Sequence, residues 1–589
     1  MTKKIAILCT AFRDGFQSVY GSRILSKDFL PIVKETKKAG ISRFESGGGA
    51  TFQSAFFYLN ENAFDVMDAF RTAVGPDAYL QTLARGVNVV GLDSQSSDII
   101  KLHAQLFKKH GVTAIRNFDA LNDPENLAYS GQCIVEAGLK HQIAIAMMSL
   151  PPGNIGAHDA DFYEQTLRKI IKADIPFHSI AFKDASGTAF PSLVYETIKR
   201  ARAILGQDVP IEFHSHETAG AGLACYLSAI EAGADIVDLS MAPVSGGTCQ
   251  PDIATLWHAL RGTSYELDVD VDAVMRVEED FKEALSAYFL PPEALHVEPM
   301  IPWSPMPGGA LTSNTQMLRD SGIMNKYAEI IKAMEEVVCK GGYGTSVTPV
   351  SQFYFQQAFN NVMNGPWQKI ADGYGKMVLG YFGKTPVAPD EEVVKMASEQ
   401  LGLPPTTESP RLINDRNPQK GVAAATGMLR ENSLSITDEN IFIAATCGQK
   451  GIDFLKGNGK VSVRYKKQPS AEKKEYTIVV DGKSFDVHLD EGKVRVDGHS
   501  YAFSVEKEKA SVQPVRKGKG HEITSPIMGT LTAVLVKEGQ EVKTGQPLFT
   551  IEVMKMESEI KSPFDGIIGE ILVTKGMQIT QGQLLARSA

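Results

Sequence analysis

Three short runs between residues 179 and 240 decide the fold: SIAFKD at 179–184, PIEFHSH at 210–216 and DIVDLS at 235–240. Each run has the length and apolar content of a buried β-strand and ends in polar residues. Helix-compatible sequence separates each run from the next. Strands that alternate with helices in this way indicate a parallel sheet built from βαβ units.

The same alternation extends back to the N-terminus. Helix-compatible segments such as 28–39 and 97–110 separate the strands there. Eight strands favour a closed (β/α)8 TIM barrel over residues 1–300, although a doubly wound open sheet is the alternative. The candidate strands are residues 5–10, 42–46, 79–86, 114–119, 142–148, 179–184, 210–216 and 235–240.

Polar side chains lie at or just past the C-terminal ends of these strands. In a parallel barrel those ends converge on one mouth, where active sites are built. We therefore expect one polar site at this mouth. The residues concerned are Asp14, Glu45, Arg85, Arg116, Lys183, His214 and His216.

His214 and His216 are two residues apart on one strand, so they project from the same face of the barrel. With Asp14 they form a two-histidine, one-carboxylate set, which leaves positions open for water or substrate on a metal. A buried structural histidine pair is the alternative. Burial of Lys183 would lower its pKa and leave a neutral amine that adds CO2 to form a carbamate ligand. A salt bridge from Lys183 to Asp184 is the alternative there.

The C-terminal region contains a repeat. SPIMGTLTAVLVKEGQEVKTGQPL begins at Ser525, and SPFDGIIGEILVTKGMQITQGQLL begins at Ser562, 37 residues later. Short apolar runs between glycine turns predict two intertwined halves of a small β-barrel. The motif Val553-Met554-Lys555-Met556 lies between the copies. An ordinary surface lysine between core methionines is the alternative reading of Lys555.

Length and composition bound the remaining possibilities. A chain of 589 residues needs several domains, and a net charge of −9 gives no reason to expect nucleic-acid binding. The six cysteines form no C-x-x-C pair, and no apolar run reaches about 18 residues. We expect a reduced, cytoplasmic protein, in which any membrane association comes through partner subunits.

Four further segments complete the predicted organisation. Residues 301–465 read as a helical extension of the barrel, with helices at 327–340, 366–379 and 391–401. Residues 466–505 read as a small β-rich assembly region, and the basic stretch 506–521 as a mobile tether. Residues 522–589 contain the repeat. A tether of this kind raises the local concentration of the repeat domain at a site while letting it leave.

Two sets of motifs resemble known families. The motif around Lys555 resembles the biotinyl domain of biotin-dependent carboxylases; a lipoyl domain has the same fold, but methionine on both sides favours biotin. The N-terminal motifs resemble the carboxyltransferase domain of the pyruvate carboxylase and oxaloacetate decarboxylase α-subunit family. They are residues 12–18, 47–52, 85–88, 116–123, 182–187, 214–220 and 246–251, followed by 305–309 and 346–352.

The resemblance implies a role for each matching residue. Asp14, a carboxylated Lys183, His214 and His216 would hold a divalent metal (Zn2+, Mn2+ or Co2+). Lys555 would carry covalent biotin, attached by a biotin protein ligase. The other roles are Arg13 and Gln17 at the substrate's keto oxygen, Arg85 clamping its carboxylate with support from Arg116, Thr348 relaying a proton, and Ser351 and Gln352 at the biotin ring.

The resemblance also implies an activity and partners. The expected reaction is carboxyl transfer between carboxybiotin and pyruvate or oxaloacetate. The chain has no second domain with a glycine-rich ATP-binding loop, so a separate biotin carboxylase subunit, or membrane decarboxylase subunits, would complete the enzyme. A homo-oligomer is also expected. A 2-oxoglutarate carboxylase subunit and a transcarboxylase subunit remain alternatives.

The chain departs from the family pattern at two places. Gly15-Phe16 replaces the usual Ala-His and is closer to metal-dependent acyl-CoA lyases of the same barrel class, which remain a third alternative. Gln352 replaces a lysine found in many members, which affects the expected docking of biotin.

Overall fold

The computed structural model describes residues 2–466, the strand residues 475–480, 483–490, 493–496 and 499–502, and residues 521–553, 556–580 and 582–589. The chain divides into two compact units, residues 1–464 and 465–589. The predicted tether lies outside the described residues apart from His521, and Lys555 lies outside them as well.

Eight parallel strands form a closed barrel in the first unit, which confirms the predicted TIM barrel. Consecutive strands pair in order, and β1 also pairs with β8 through Ala6 and Ile236, so the sheet has no free edge there. A short ninth strand, β9 (Tyr265–Leu267), runs beside β1. The barrel strands are β1 (Lys3–Cys9), β2 (Arg43–Gly48), β3 (Tyr79–Ala84), β4 (Ala114–Phe118), β5 (Lys140–Ala146), β6 (Ser179–Asp184), β7 (Ile211–Ser215) and β8 (Ile236–Leu239).

Helices surround the barrel, and α7 shows why they form. The Asp159 carboxylate accepts a hydrogen bond from the Phe162 N–H and caps the first turn. Tyr163, Leu167 and Ile170 then recur at helical spacing and are buried against the strands. The helices of this layer are α1 (Phe16–Tyr20), α2 (Ser26–Lys38), α3 (Gly49–Ser54), α4 (Ala63–Val74), α5 (Ser97–Lys109), α6 (Glu125–Glu136), α7 (Ala160–Lys172), α8 (Pro191–Leu205), α9 (Gly222–Ala232), α10 (Ile253–Ala259) and α11 (Val271–Ala284).

A helical extension follows the barrel and packs back onto it. The ring of Phe442 on its last helix lies 5.4 Å from the ring of Phe52, next to the barrel. One predicted helix, 366–379, is shorter in the structure, because Trp367 adopts a positive φ of 58° and the helix begins only at Asp372. The helices are α12 (Gly308–Asp320), α13 (Tyr327–Lys340), α14 (Val350–Asn364), α15 (Asp372–Val378), α16 (Glu391–Leu401), α17 (Pro410–Asp415), α18 (Gly421–Glu431) and α19 (Asp438–Leu455).

Among the described residues, no helix combines the length and the apolar character needed to cross a lipid bilayer.

The second unit contains only strands in its described residues. The first four form an antiparallel sheet in sequence order, where period-two sequence predicted a β-rich region. They are β10 (Glu475–Val480), β11 (Lys483–Asp490), β12 (Lys493–Val496) and β13 (His499–Ala502).

The repeat forms two four-stranded sheets, and each sheet takes strands from both copies, as the intertwined reading predicted. The side-chain hydroxyl of Ser525 donates to Ile527 O, and the equivalent Ser562 donates to Phe564 O. The two copies therefore repeat the same local structure. The strands are β14 (Glu522–Thr524), β15 (Gly529–Val534), β16 (Glu541–Val542), β17 (Pro547–Val553), β18 (Met556–Lys561), β19 (Gly566–Ile571), β20 (Gln578–Ile579) and β21 (Leu584–Ser588).

Candidate active site at the barrel mouth

Asp14, His214 and His216 bring their donor atoms to one point at the C-terminal end of the barrel. His214 Nε2 lies 3.0 Å from His216 Nε2, and Asp14 Oδ2 lies 3.1 Å and 3.3 Å from these two nitrogens. All three side chains are buried. The three residues predicted to bind a metal thus form one compact donor set.

Neighbouring groups orient both imidazoles for metal binding. His214 Nδ1 lies 2.6 Å from Oδ2 of Asp238, and His216 Nδ1 lies 2.7 Å from the carbonyl oxygen of Thr248. Because these oxygens accept hydrogen bonds, each Nδ1 carries the proton and each Nε2 presents its lone pair to the common point. These residues therefore fit a divalent metal ion.

The charges at this point also suit a cation. Burial raises the pKa of Asp14, but the charges of Arg13 and Lys183 outweigh it and hold the pKa well below its ordinary value. Burial, with the adjacent Lys183, lowers the pKa of His214 well below its usual range. Asp14 is therefore ionised and His214 neutral, which are the forms that bind metals.

Lys183 is part of the same cluster. Its Nζ lies 2.6 Å from His214 Nε2 and 3.4 Å from Asp14 Oδ2, and burial lowers its pKa. The carboxylate of Asp184 instead accepts hydrogen bonds from Ser186 and Ser215. The Lys183–Asp184 salt bridge considered from the sequence is therefore absent, and the amine faces the donor set.

A cavity at the barrel mouth adjoins this cluster, and Asp14, Lys183 and His216 form part of its wall. It is lined by residues from the barrel and by Pro307, Gly309, Val347 and Thr348 from the helical extension. Of the predicted substrate-binding residues, Arg13, Gln17 and Arg85 line it. The full lining is Arg13, Asp14, Gln17, Ser18, Leu83, Arg85, Phe118, Lys183, Ala185, His216, Pro307, Gly309, Val347 and Thr348.

Arg85 enters this cavity and has no carboxylate partner among the described residues. Its NH1 donates to the carbonyl oxygens of Val90 at 2.8 Å and Gly91 at 2.9 Å, and its Nε has no acceptor in the part of the chain that the structure describes. Burial, with the nearby charge of Arg13, lowers its pKa to about 9. A buried cation in this state is best stabilised by a bound anion.

Arg13, in contrast, is paired. It forms a short ion pair with Glu45 and lies 3.2 Å from Asp14 Oδ1. Its NH1 also lies 3.4 Å from the side-chain oxygen of Gln17. Glu45 and Asp14 thus hold the guanidinium in place beside the metal donors.

Thr348 reaches the mouth because the preceding segment is tied to the barrel. The Thr345 N–H donates to Ala120 O, just past β4 of the barrel, at 2.7 Å, and the Ser346 hydroxyl donates to Pro305 O at the start of the extension. The next predicted residues behave differently. Ser351 is buried on α14, where no described residue pairs with its hydroxyl, and Gln352 is exposed; neither lines the cavity.

Arg116 does not reach the cavity, which corrects its predicted place beside the substrate. It lies in the middle of β4, is fully buried, and donates to Gln142 and Glu212 at 2.6 Å each and to Asp238. These carboxylates outweigh the effect of burial and hold its pKa well above the ordinary value. Arg116 therefore compensates the charges of the buried carboxylates Glu212 and Asp238 inside the barrel.

The unusual pair Gly15-Phe16 is explained by packing. The Phe16 ring lies 5.1 Å from that of Phe29 and 5.9 Å from that of Phe281. A Cβ on Gly15 would lie 2.8 Å from Cγ2 of Val244. Both residues therefore serve the core between β1 and the outer helices, and neither lines the cavity.

Sequence reasoning from the residues alone overlooked Gln250 and Asp238. Gln250 Nε2 lies 2.9 Å from His216 Nε2, and Asp238 orients His214. Gln250 lies in the motif at 246–251 and Asp238 in the strand at 235–240. Their position beside the histidines depends on how β7 and β8 pair, which no local pattern reveals.

Fold and site together define a (β/α)8 enzyme whose mouth is equipped for a divalent metal and a small anion. Comparison with known families gives three matches: a conserved carboxylase domain at residues 301–497, a biotin-requiring enzyme domain at 521–587 and an HMGL-like domain at 140–281. The second match confirms the predicted biotinyl domain.

Relatives cover nearly the whole chain. A pyruvate carboxylase subunit of Methanocaldococcus jannaschii is 30% identical and is aligned over 94% of each chain. The methylmalonyl-CoA carboxyltransferase 5S subunit of Propionibacterium freudenreichii subsp. shermanii is 30% identical over 69% of this chain and 79% of its own. The chain belongs to the biotin-dependent carboxyltransferase family that includes this pyruvate carboxylase subunit, and it is an enzyme.

A solved structure supports the fold. The carboxyl transferase domain of Rhizobium etli pyruvate carboxylase, solved with pyruvate and biocytin, is 24% identical with a TM-score of 0.70. The match covers 85% of this chain and 89% of that one.

Proposed function

We propose that this chain transfers a carboxyl group between biotin on Lys555 and pyruvate or oxaloacetate at the barrel mouth. The observation that carries the proposal is that one cavity contains both a metal donor set and Arg85, a buried cation with no carboxylate partner among the described residues. A 2-oxo acid has a keto oxygen that can bind a metal ion and a carboxylate that can bind Arg85. A carboxylate that accepts two parallel hydrogen bonds from the free Nε–NH2 edge of this guanidinium is fixed in orientation as well as position.

The chain's own residues hold the substrate and exclude water. Arg85 receives the carboxylate, while Arg13 and Gln17, which line the same cavity, donate hydrogen bonds to the keto oxygen. A divalent ion held by Asp14, His214, His216 and a carboxylated Lys183 would act as a Lewis acid that makes the adjacent carbon acidic. Leu83 and Phe118 close the apolar side of the cavity.

Thr348 handles the proton. Its hydroxyl can accept one proton while donating another, and it lines the cavity beside the metal donors. In this role it moves a proton between the substrate's methyl carbon and the biotin ring. Gln352, which is exposed at the start of α14, contacts that ring, whereas Ser351 is fully buried there and is assigned no contact with it.

The likeness to a pyruvate carboxylase subunit over 94% of the chain favours the direction toward oxaloacetate. A separate biotin carboxylase subunit would then load the biotin, and a biotin protein ligase would attach it. The opposite direction, with membrane decarboxylase subunits, uses the same residues. In both cases we propose a cytoplasmic homo-oligomer, bound to a membrane only through such partners.

Isotope exchange tests the proposal without any partner. The biotinylated, metal-loaded full chain is mixed with oxaloacetate and labelled pyruvate. Oxaloacetate gives its carboxyl group to biotin and leaves as pyruvate, and labelled pyruvate takes the group and becomes labelled oxaloacetate. Absence of label in oxaloacetate, with biotin and metal both present, would overturn the proposal.

The attachment site is tested separately by mass. Lys555→Arg should abolish the mass added by biotin and the exchange reaction together. Lys561→Arg is the matched control, because Lys561 is a half-exposed lysine six residues away on β18. Biotin retained by Lys555→Arg would place the attachment elsewhere.

A transcarboxylase role is the second candidate, and the carboxyltransferase relative favours it. The same exchange assay distinguishes it, with methylmalonyl-CoA replacing oxaloacetate as the carboxyl donor. Replacing labelled pyruvate by labelled 2-oxoglutarate tests the 2-oxoglutarate carboxylase alternative.

A further inference from the structure

We propose that His158 is a positioning residue for the proton carrier Thr348, and that it acts through the backbone carbonyl group of Tyr343. His158 lies in the loop between β5 and α7, is buried, and does not line the cavity at the barrel mouth. The inference rests on the proposed role of Thr348 and extends it to a side chain outside the cavity.

Thr348 lies in an irregular segment between two helices. The helix α13 ends at Lys340, and α14 begins only at Val350. Because neither helix fixes this segment, the place of the Thr348 hydroxyl depends on hydrogen bonds that the segment makes with its surroundings. A proton carrier must stay within hydrogen-bond reach of the reacting atoms. A displacement of about 1 Å in such a group can slow a reaction roughly 100-fold.

His158 anchors this segment at Tyr343, which precedes Thr348. Its Nε2 lies 2.7 Å from the Tyr343 carbonyl oxygen. A carbonyl oxygen can only accept a hydrogen bond, so Nε2 carries the proton. Burial lowers the pKa of His158 to about 4, although the hydrogen bond to Tyr343 opposes this shift. The imidazole is therefore neutral at physiological pH, and its Nδ1 is an acceptor that faces the Tyr163 hydroxyl at 2.9 Å.

The Tyr163 hydroxyl links His158 to the strand ends beside the metal donors. It accepts a hydrogen bond from the Met148 N–H at 2.9 Å. Its own proton faces two acceptors, His158 Nδ1 and the Met148 carbonyl oxygen, each 2.9 Å away. The preceding residue, Met147, donates its N–H to the carbonyl oxygen of Lys183 at 2.8 Å. A buried series of contacts thus connects the backbone of Lys183, whose side chain lies among the metal donors, with the segment that holds the proton carrier.

Both residues of the His158–Tyr343 contact have an unusual backbone conformation. The φ angle is 59° at each, in the left-handed region that residues with a Cβ rarely adopt. Such a conformation persists only where surrounding contacts hold it. Asparagine or glycine would adopt this φ with less strain, but neither is long enough to replace the histidine Nε2. The reach of the imidazole to the Tyr343 carbonyl oxygen therefore explains a histidine at position 158.

Two substitutions separate positioning from packing. His158→Asn keeps an amide near the place of Nδ1 and suits the positive φ, but it is too short to reach the Tyr343 carbonyl oxygen. His158→Gln places an N–H near the position of Nε2, although it suits this backbone less well. If His158 served only to hold its own loop, asparagine would be the milder change. Positioning through Tyr343 predicts the opposite order.

The measurement is carboxyl exchange by the biotinylated, metal-loaded full chain at saturating pyruvate. The rate should fall at least about 10-fold in His158→Asn and stay within about threefold of the wild type in His158→Gln. The KM for pyruvate and the zinc content should stay within about twofold in both variants, because Arg85 and the metal donors are untouched. A full rate in His158→Asn, or an equal loss in the two variants, would overturn the proposal.

A double variant tests whether His158 acts through Thr348. In a Thr348→Ala chain the hydroxyl to be positioned is already absent, so adding His158→Asn should slow the residual exchange by less than about twofold. If His158→Asn caused the same fold loss in both backgrounds, the two residues would act independently and the proposal would be wrong.

Hydrogen–deuterium exchange of the full chain gives a readout that needs no turnover. The amides of residues 343–348 should exchange at least about threefold faster in His158→Asn than in the wild type or His158→Gln, and an unchanged rate contradicts the anchoring. Should His158→Asn fail to fold, Tyr163→Phe removes the hydroxyl that links His158 to Met148. Carboxyl exchange should then slow about threefold or more, and an undiminished rate would refute the proposal. Faster deuterium exchange in His158→Asn, with no carboxyl exchange in any chain including the wild type, would refute the proposed function alone.

Discussion

The Nδ1 atom of His214 lies 2.6 Å from Oδ2 of Asp238, and Arg116 donates to the same carboxylate. The metal donor at the barrel mouth is thus linked to a buried cation inside the barrel. Glu212 extends this hydrogen-bond network, because its carboxylate accepts a hydrogen bond from Arg116 at 2.6 Å. The charged barrel interior therefore sets the tautomer of a candidate ligand.

Asp238→Asn should weaken metal binding. An amide that donates to Nδ1 would favour the other tautomer and place a proton on the Nε2 that binds the metal. We expect zinc affinity to fall about 10- to 100-fold in a chelator competition assay. Asp235→Asn, which removes a carboxylate paired with Arg202 just before the same strand, is the control and should leave affinity unchanged. Equal affinities in the two variants would refute the link.

Arg116→Met should lower stability, whereas Arg85→Met should weaken substrate binding. Loss of Arg116 leaves Asp238 and Glu212 buried without their cation, at a cost of about 3–5 kcal/mol, so the melting temperature should drop by several degrees. Loss of Arg85 strands no carboxylate, so stability should change little. The KM for the 2-oxo acid should instead rise at least about 10-fold, because one charge-assisted contact is lost. A stable Arg116→Met with a raised KM would restore Arg116 to the substrate site.

These two arginines also show what sequence can predict. Both follow apolar strand residues, and the barrel with its mouth could be predicted from strand count and polar strand ends. Whether such an arginine lies at the mouth of the barrel or in its interior depends on where the strand begins and ends. β4 begins at Ala114 and ends at Phe118, so Arg116 lies at its centre, whereas Arg85 lies just past the end of β3.

The proximity of His214 and His216 was predictable because their spacing of two residues fixes a shared face on any strand. Gln250 was not, because its amide reaches His216 only through the pairing of β7 with β8 and the loop that follows β8. Long-range contacts of this kind leave no periodic signal.

Thr348→Ala should slow carboxyl exchange without changing metal content. Removing the hydroxyl removes the proton carrier, and general acid–base groups contribute about 10²–10⁴-fold to rate. Thr348→Ser keeps a hydroxyl and should retain activity within about 10-fold. The measurement is the exchange rate at saturating pyruvate, beside zinc content. Full activity in Thr348→Ala would remove the relay while leaving the metal and Arg85 assignments intact.

Glu278 should make the stability of the first unit depend on pH. Burial, followed by the nearby charge of Asp252, raises its pKa to about 8, and its Oε1 accepts from the Ala242 N–H at 3.3 Å. The folded state therefore holds this proton more tightly than the unfolded state, whose carboxyl titrates near 4.5. The resulting stabilisation is complete below pH 4.5 and is lost as pH rises toward 8.

Glu278→Gln cannot titrate, so its melting temperature should gain on that of the wild type between pH 5 and pH 8. Above that range the two melting curves should run parallel, because the Glu278 carboxyl is then ionised in both the folded and the unfolded state. The gain should reach at least about 2 °C, equivalent to a change on the order of 1 kcal/mol. Glu279→Gln is the matched control, because Glu279 is the next residue, largely exposed and paired with Lys282. If the melting temperatures of Glu278→Gln and the wild type changed in parallel from pH 5 upward, the Glu278 carboxyl would already be ionised in the folded protein at pH 5. That result would contradict the prediction.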